Sequence, residues 1–146
     1  MSDLSDLYQS VILDHNRAPR NCRAMTDADR EAEGFNPLCG DRLRVWVRFG
    51  PGDLIDDVSF EGIGCAISQA SASLMTTAVK GKTRAQALEL FERFHDLVAG
   101  EPDGPRERNL GKLQVFEGVR EYPSRVKCAS LAWHALRTAL ADEPAR

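Results

Sequence analysis

The chain has no excess of basic residues. Its 19 Lys and Arg stand against 22 Asp and Glu, a formal net charge of −3. That balance offers no field for nucleic acid and no polybasic patch for a membrane surface. The opening does not read as a secretory leader either: Met1-Ser2-Asp3-Leu4-Ser5-Asp6 carries acid where a signal peptide carries base, and no long apolar run follows. No stretch reaches the length of a membrane-spanning helix. The expectation is a cytoplasmic protein with no nucleic-acid and no membrane partner, in a compartment where cysteine stays reduced. Internal repeats and low-complexity segments are absent. So are a C-x-x-C knuckle, the G-x-S-x-G elbow of serine hydrolases, and the H-x-E and P-C-x-x-C signatures of zinc deaminases.

What remains is an ordinary globular composition, 42% hydrophobic and 28% charged over 146 residues, enough for one domain spanning residues 1–146. Leu4, Leu7, Tyr8, Val11, Ile12 and His15 fall at helical spacing, and Pro19 ends that helix. Residues 23–31 read as loop, and Ala32 to Phe35 as a short strand. Arg42 to Phe49 alternates strictly, and Gly50-Pro51-Gly52-Asp53 turns the chain into a returning strand over Leu54 to Glu61. From Cys65 the period becomes helical, to Val79. Thr83 with Gln86 makes a capping box for a helix ending at Gly100. Glu101 to Arg108 is a polar loop, Leu110, Leu113 and Phe116 suggest a short helix, and Pro123 with Ser124 introduces the last helix. Residues 142–146 read as a frayed tail. Strands first and helices afterwards give an α+β class: a small antiparallel sheet with helices packed on one face.

Three of the four cysteines carry the chemistry. In Asn36-Pro37-Leu38-Cys39-Gly40-Asp41 a thiol and a carboxylate sit two residues apart on a turn shaped by Pro37 and Gly40, so both can face one cation. Cys65 follows Gly62-Ile63-Gly64 at a strand-to-helix turn, and Cys128 is placed in the first turn of the last helix with Ser124 as its cap. Helix N-termini favour thiolates. The expected convergence is therefore Cys39, Asp41, Cys65 and Cys128 on one metal. Intervals of 26 and 63 residues between the cysteines are not those of a zinc finger. Three thiolates and a carboxylate suit a tetrahedral zinc or an iron–sulfur cluster with one weak corner.

Other residues are assigned plainer roles. Cys22 reads as an incidental loop thiol. His15 and His134 are expected to satisfy hydrogen bonds, and His95 to lie near the surface. Arg125 and Lys127 either stay solvated or offset thiolate charge beside Cys128, Arg125 being the better placed because a guanidinium holds two partners. Ala70-Ser71-Ala72-Ser73 reads as a small-residue stripe that lets its helix approach the sheet.

Three segments in order, Asn36 to Asp41, Gly62-Ile63-Gly64-Cys65-Ala66-Ile67-Ser68 running on to Ser73, and Arg125-Val126-Lys127-Cys128-Ala129, resemble the motifs of the U-type iron–sulfur cluster assembly proteins, the IscU and NifU N-terminal family. Val11 to His15 and Pro19-Arg20-Asn21 fit as well. Lys127 stands where the IscU branch has His. Gly118 to Pro123 lacks that branch's proline-valine-lysine chaperone motif. The long second interval accommodates an insertion including Glu101 to Phe116. These features resemble the SufU branch and weaken the case for an Hsp70-type partner. The resemblance implies a SufE/IscU-like fold and a zinc held by Cys39, Asp41, Cys65 and Cys128. It further implies that Cys39 accepts persulfide sulfur from a PLP-dependent, SufS-type cysteine desulfurase and passes it to the SUF assembly machinery. The alternatives kept open are a scaffold that builds a [2Fe–2S] cluster on the three cysteines, and a purely structural zinc domain.

Overall fold

Alternation of Leu43, Val45, Val47 and Phe49 with Arg44, Trp46 and Arg48 produces the central element of a three-stranded antiparallel sheet, seen in a computed structural model. It describes residues 3–37, 40–100 and 110–141, with side chains from Gln9 onward. The readings for Cys39, for the 101–108 loop and for the 142–146 tail lie outside those residues.

Helix α1 (Asp3–Arg17) leads through a loop to strands β1 (Arg30–Asn36), β2 (Asp41–Phe49) and β3 (Ile55–Ile63). Helices α2 (Ala66–Val79) and α3 (Arg84–Ala99) follow, then a 3₁₀ segment (Gly111–Glu121) and α4 (Pro123–Leu140). The sheet order is β1-β2-β3, with Gly34 opposite Leu43 and Val45 opposite Phe60. Leu43, Val45, Val47, Val58 and Phe60 turn inward with no exposure and form the core with α2 and α4. The approach of α4 is close because Gly34 has no side chain: a Cβ there would meet Leu131 at 3.1 Å. Trp133 of α4 stacks on Phe94 of α3, ring centroids 4.5 Å apart, and its indole N–H donates to Ser71 Oγ at 3.2 Å.

The expected α+β class holds, and several boundaries move. β1 starts at Arg30, within the stretch read as loop, because its outward residues are charged. Glu31 pairs with Arg44 at 2.7 Å and accepts from the Trp46 indole at 3.1 Å, so the start of the strand is held on its polar side. β3 runs from Ile55 to Ile63, while Leu54 instead bridges to Thr83. The Thr83–Gln86 capping box is present with both of its bonds. Ser124 is not the cap of α4: Tyr122 holds that position with Pro123 at N1, so Cys128 falls in the second turn. The serine stripe of α2 ties the helix to other helices rather than to the sheet. Ser71 donates to the Ala129 carbonyl, and Ser73 Oγ pairs with His15 Nδ1 at 2.7 Å and accepts from the Arg20 N–H at 2.8 Å. His15 is accordingly buried and hydrogen-bonded, as expected. No helix among the described residues is long and apolar enough to cross a membrane.

Candidate metal centre

Three elements end at the same corner of the sheet. Asp41 is the first residue of β2, and Gly40 before it adopts φ +75°, a left-handed conformation that glycine tolerates best. The Gly40 N–H donates to the Asn36 carbonyl at 2.8 Å, which closes the turn between β1 and β2. Across the sheet, the chain leaves β3 at Ile63, and Cys65 becomes the N-cap of α2 with extended backbone angles. Its sulfur accepts from the Ser68 N–H at 3.5 Å, the role a serine or aspartate side chain fills at most helix starts. Cys128 points inward from α4 and is 5% exposed.

These placements bring Asp41, Cys65 and Cys128 together, with one ligand atom from each lying within 4.8 Å of the others. Asp41 Oδ1 accepts from the Cys65 N–H at 3.1 Å, and Oδ2 stands 3.9 Å from Cys65 Sγ. The carboxylate is 2% exposed and, among the described residues, makes no ion pair. A buried carboxyl group beside two thiols, with no ion pair to the carboxylate among the described residues, is a donor set that a bound cation would complete. Donors around a tetrahedral zinc stand about 3.3–3.8 Å apart, given bonds of about 2.0–2.3 Å, so the observed spacing needs only a small contraction. The donor set fits a soft or borderline metal.

Of the sequence-predicted ligands, Asp41, Cys65 and Cys128 converge, and Cys39 lies outside the described residues. Because Cys128 sits in the second turn of α4, its amide belongs to the helix ladder, and the argument from unpaired N-terminal amides applies to Cys65 alone. Arg125 and Lys127 are exposed, and the Arg125 guanidinium lies 4.7 Å over the Tyr122 ring. Cys22 is exposed beside the free edge of β3, bridging to Phe60. Partial desolvation, and then the Glu61 carboxylate, hold its thiol above the ordinary range. His134 and His95 meet edge to face, 5.8 Å between centroids, around Phe91 and away from the cysteines. Burial first, then His95 and Arg137, depress the His134 value.

Sequence reasoning missed two members of the site. Gly64 leaves room for Ser68: a Cβ on it would lie 2.2 Å from Ser68 Oγ and 3.4 Å from Asp41 Oδ1. Ser68, fully buried, donates its hydroxyl to the Cys65 carbonyl at 3.1 Å as its own N–H meets the Cys65 sulfur. The available signal was spacing, because Ser68 follows the capping cysteine by three residues.

Comparison with known proteins agrees with this fold. A family model described as the NifU-like N-terminal domain matches residues 7–129. The zinc-dependent sulfurtransferase SufU of Bacillus subtilis is 41% identical over 142 residues, which cover 97% of this chain and 95% of that protein. The iron–sulfur cluster assembly scaffold protein IscU of Streptococcus pyogenes is 39% identical over 140 residues, 96% of this chain and 86% of that one. The crystal structure of FiSufU from Fervidobacterium islandicum has a TM-score of 0.82 at 38% identity, covering 90% of this chain and 94% of its own.

Proposed function

Because the chain belongs to the NifU-like N-terminal domain family, we propose that it is a zinc-dependent sulfurtransferase of iron–sulfur cluster assembly. In this reading Cys39, Asp41, Cys65 and Cys128 hold the zinc, and Cys39 accepts persulfide sulfur from a SufS-type cysteine desulfurase. The observation that carries it is the convergence of Asp41, Cys65 and Cys128 at one corner of the sheet. Cys39 is separated from Asp41 by Gly40 alone, and the Asn36–Gly40 bond returns the chain to that corner.

When bound, zinc keeps thiol ligands deprotonated without redox chemistry of its own. The protein's residues do the rest. The Cys65 N–H orients the Asp41 carboxylate, and the Ser68 N–H orients the Cys65 sulfur. The Cys39 thiolate attacks the outer sulfur of the desulfurase persulfide. A new S–S bond forms on Cys39, the donor's S–S bond breaks, and the donor cysteine leaves as a thiolate. Arg125 and Lys127 supply positive charge near the approaching anionic persulfide. Cys39→Ala is expected to abolish stimulation of desulfurase turnover while leaving the fold intact by circular dichroism. Full stimulation by that variant removes Cys39 from the acceptor role.

A second reading is a scaffold for a [2Fe–2S] cluster, which the 39% identity to the streptococcal scaffold protein favours. Anaerobic reconstitution with iron and sulfide separates the two. A stable stoichiometric cluster that displaces zinc readily supports the scaffold, and its absence alongside desulfurase stimulation supports the sulfurtransferase.

A further inference from the structure

The second half of α2 and the first half of α3 diverge, and the 3₁₀ segment closes the third side of the space between them. The result is a cleft of about 570 Å³, within the roughly 300–1,000 Å³ of small-molecule sites. Its floor is apolar: Leu74 and Leu113 are buried beneath it, with Ala78 and Leu90 half-buried at its sides. Its rim is basic. Among the described lining residues, Lys82, Arg93 and Lys112 carry positive charge and Glu89 negative charge. Among the described residues neither Lys82 nor Lys112 makes an ion pair. The cleft is distinct from the metal centre: along α2 the helical rise puts Leu74 to Ala78 roughly 14–20 Å from Cys65.

We infer that this cleft binds a small amphipathic organic anion, its apolar body against Ala78 and Leu90 and its phosphate, sulfonate or carboxylate at Lys82 and Lys112. The dimensions select a small molecule over a peptide helix. The face of α3 between Gln86 and Arg93 is about two turns, roughly 10 Å, too short to seat the repeated anchors of a helix in a groove. An apolar floor supplies area and a basic rim supplies orientation, as in most small-ligand sites. One wall, Leu110 to Leu113, comes from the segment assigned to the insertion between the second and third cysteines, so this cleft belongs to the long-interval form of the chain.

The test uses 1-anilinonaphthalene-8-sulfonate on the full chain, with its uncharged counterpart N-phenyl-1-naphthylamine as the control. Saturable one-to-one binding of the sulfonate is expected, with amide shifts confined to residues 73–93 and Leu110–Leu113. The neutral counterpart should bind at least tenfold more weakly. Lys82→Glu with Lys112→Glu should weaken the sulfonate at least tenfold, near-UV circular dichroism and desulfurase stimulation being unchanged. Binding that is unsaturable, equal for the two dyes, indifferent to charge reversal, or mapped to another face overturns the inference without touching the sulfurtransferase reading.

Discussion

Gly64→Ala probes how tightly the start of α2 is built around the metal centre. The new Cβ would stand 2.2 Å from Ser68 Oγ, far inside van der Waals contact, while its 3.4 Å distance to Ser68 Cβ is ordinary. The hydroxyl has to rotate away, and rotation breaks its 3.1 Å bond to the Cys65 carbonyl in a site with no exposure. An orphaned buried hydroxyl costs about 1–3 kcal/mol. For a chain of this size, each kcal/mol lowers Tm by about 2–4 °C, so the expected fall is on the order of 2–12 °C. Ser68→Ala removes the clashing atom, and in that background Gly64→Ala should cost less than about 0.5 kcal/mol, which leaves a coupling energy of about 1–3 kcal/mol. Urea unfolding of the four proteins in chelator measures it, because without metal the unfolding equilibrium carries no binding contribution. An equal cost in both backgrounds, or none in the wild type, refutes the reasoning.

Asp41→Asn retains an oxygen for the Cys65 N–H but withdraws the carboxylate. Zinc affinity, read by competition with a chromophoric chelator, should fall at least tenfold, about 1.4 kcal/mol, and an unchanged affinity removes Asp41 from the ligand set. Stability in chelator should also fall as pH is lowered from 7 to 5. Burial, and then Arg20, hold His15 below its ordinary value, and His134 is depressed as well, so the folded state binds fewer protons than the unfolded one. The loss begins as pH drops through the unfolded histidine value of about 6.5. The depressed carboxyls of Asp14 and Asp57 add theirs only nearer the ordinary aspartate range. A flat urea midpoint across that window contradicts the assignment, and His134→Ala should reduce the slope. Arg125→Ala with Lys127→Ala should slow sulfur transfer at low salt and leave the fold unaltered, both residues being exposed. Unchanged transfer ends their proposed role.

The parts of the fold legible beforehand are those where local pattern and tertiary packing agree. β2 alternates because one face is core, and α3 announces itself through Thr83 and Gln86. β1 is legible only from Ala32 to Phe35, and its start hides because Arg30 and Glu31 are charged while the inward Ala32 and Gly34 carry almost no hydrophobic signal. The start of α4 is misread at Ser124 because a serine usually caps, whereas here Pro123 at N1 moves the boundary. At the metal centre, residue types and turns were enough to nominate Asp41, Cys65 and Cys128. Their convergence depends on the β2–β3 register and on the seating of α4 against Gly34, and neither is written in local spacing.

That register also bears on how the centre is held. Asp41 opens β2, whose next residue, Arg42, pairs with Ile63 only two residues before Cys65. Slipping this ladder by one residue would turn Leu43, Val45 and Val47 out of the core, so Asp41 and Cys65 are held in mutual position by the whole sheet. Cys128 is held comparably, because α4 packs onto β1 at Gly34 and is tied to α2 through Ser71. Three donors thus sit on elements that cannot shift separately. Those three donors therefore keep their mutual geometry whatever completes the centre.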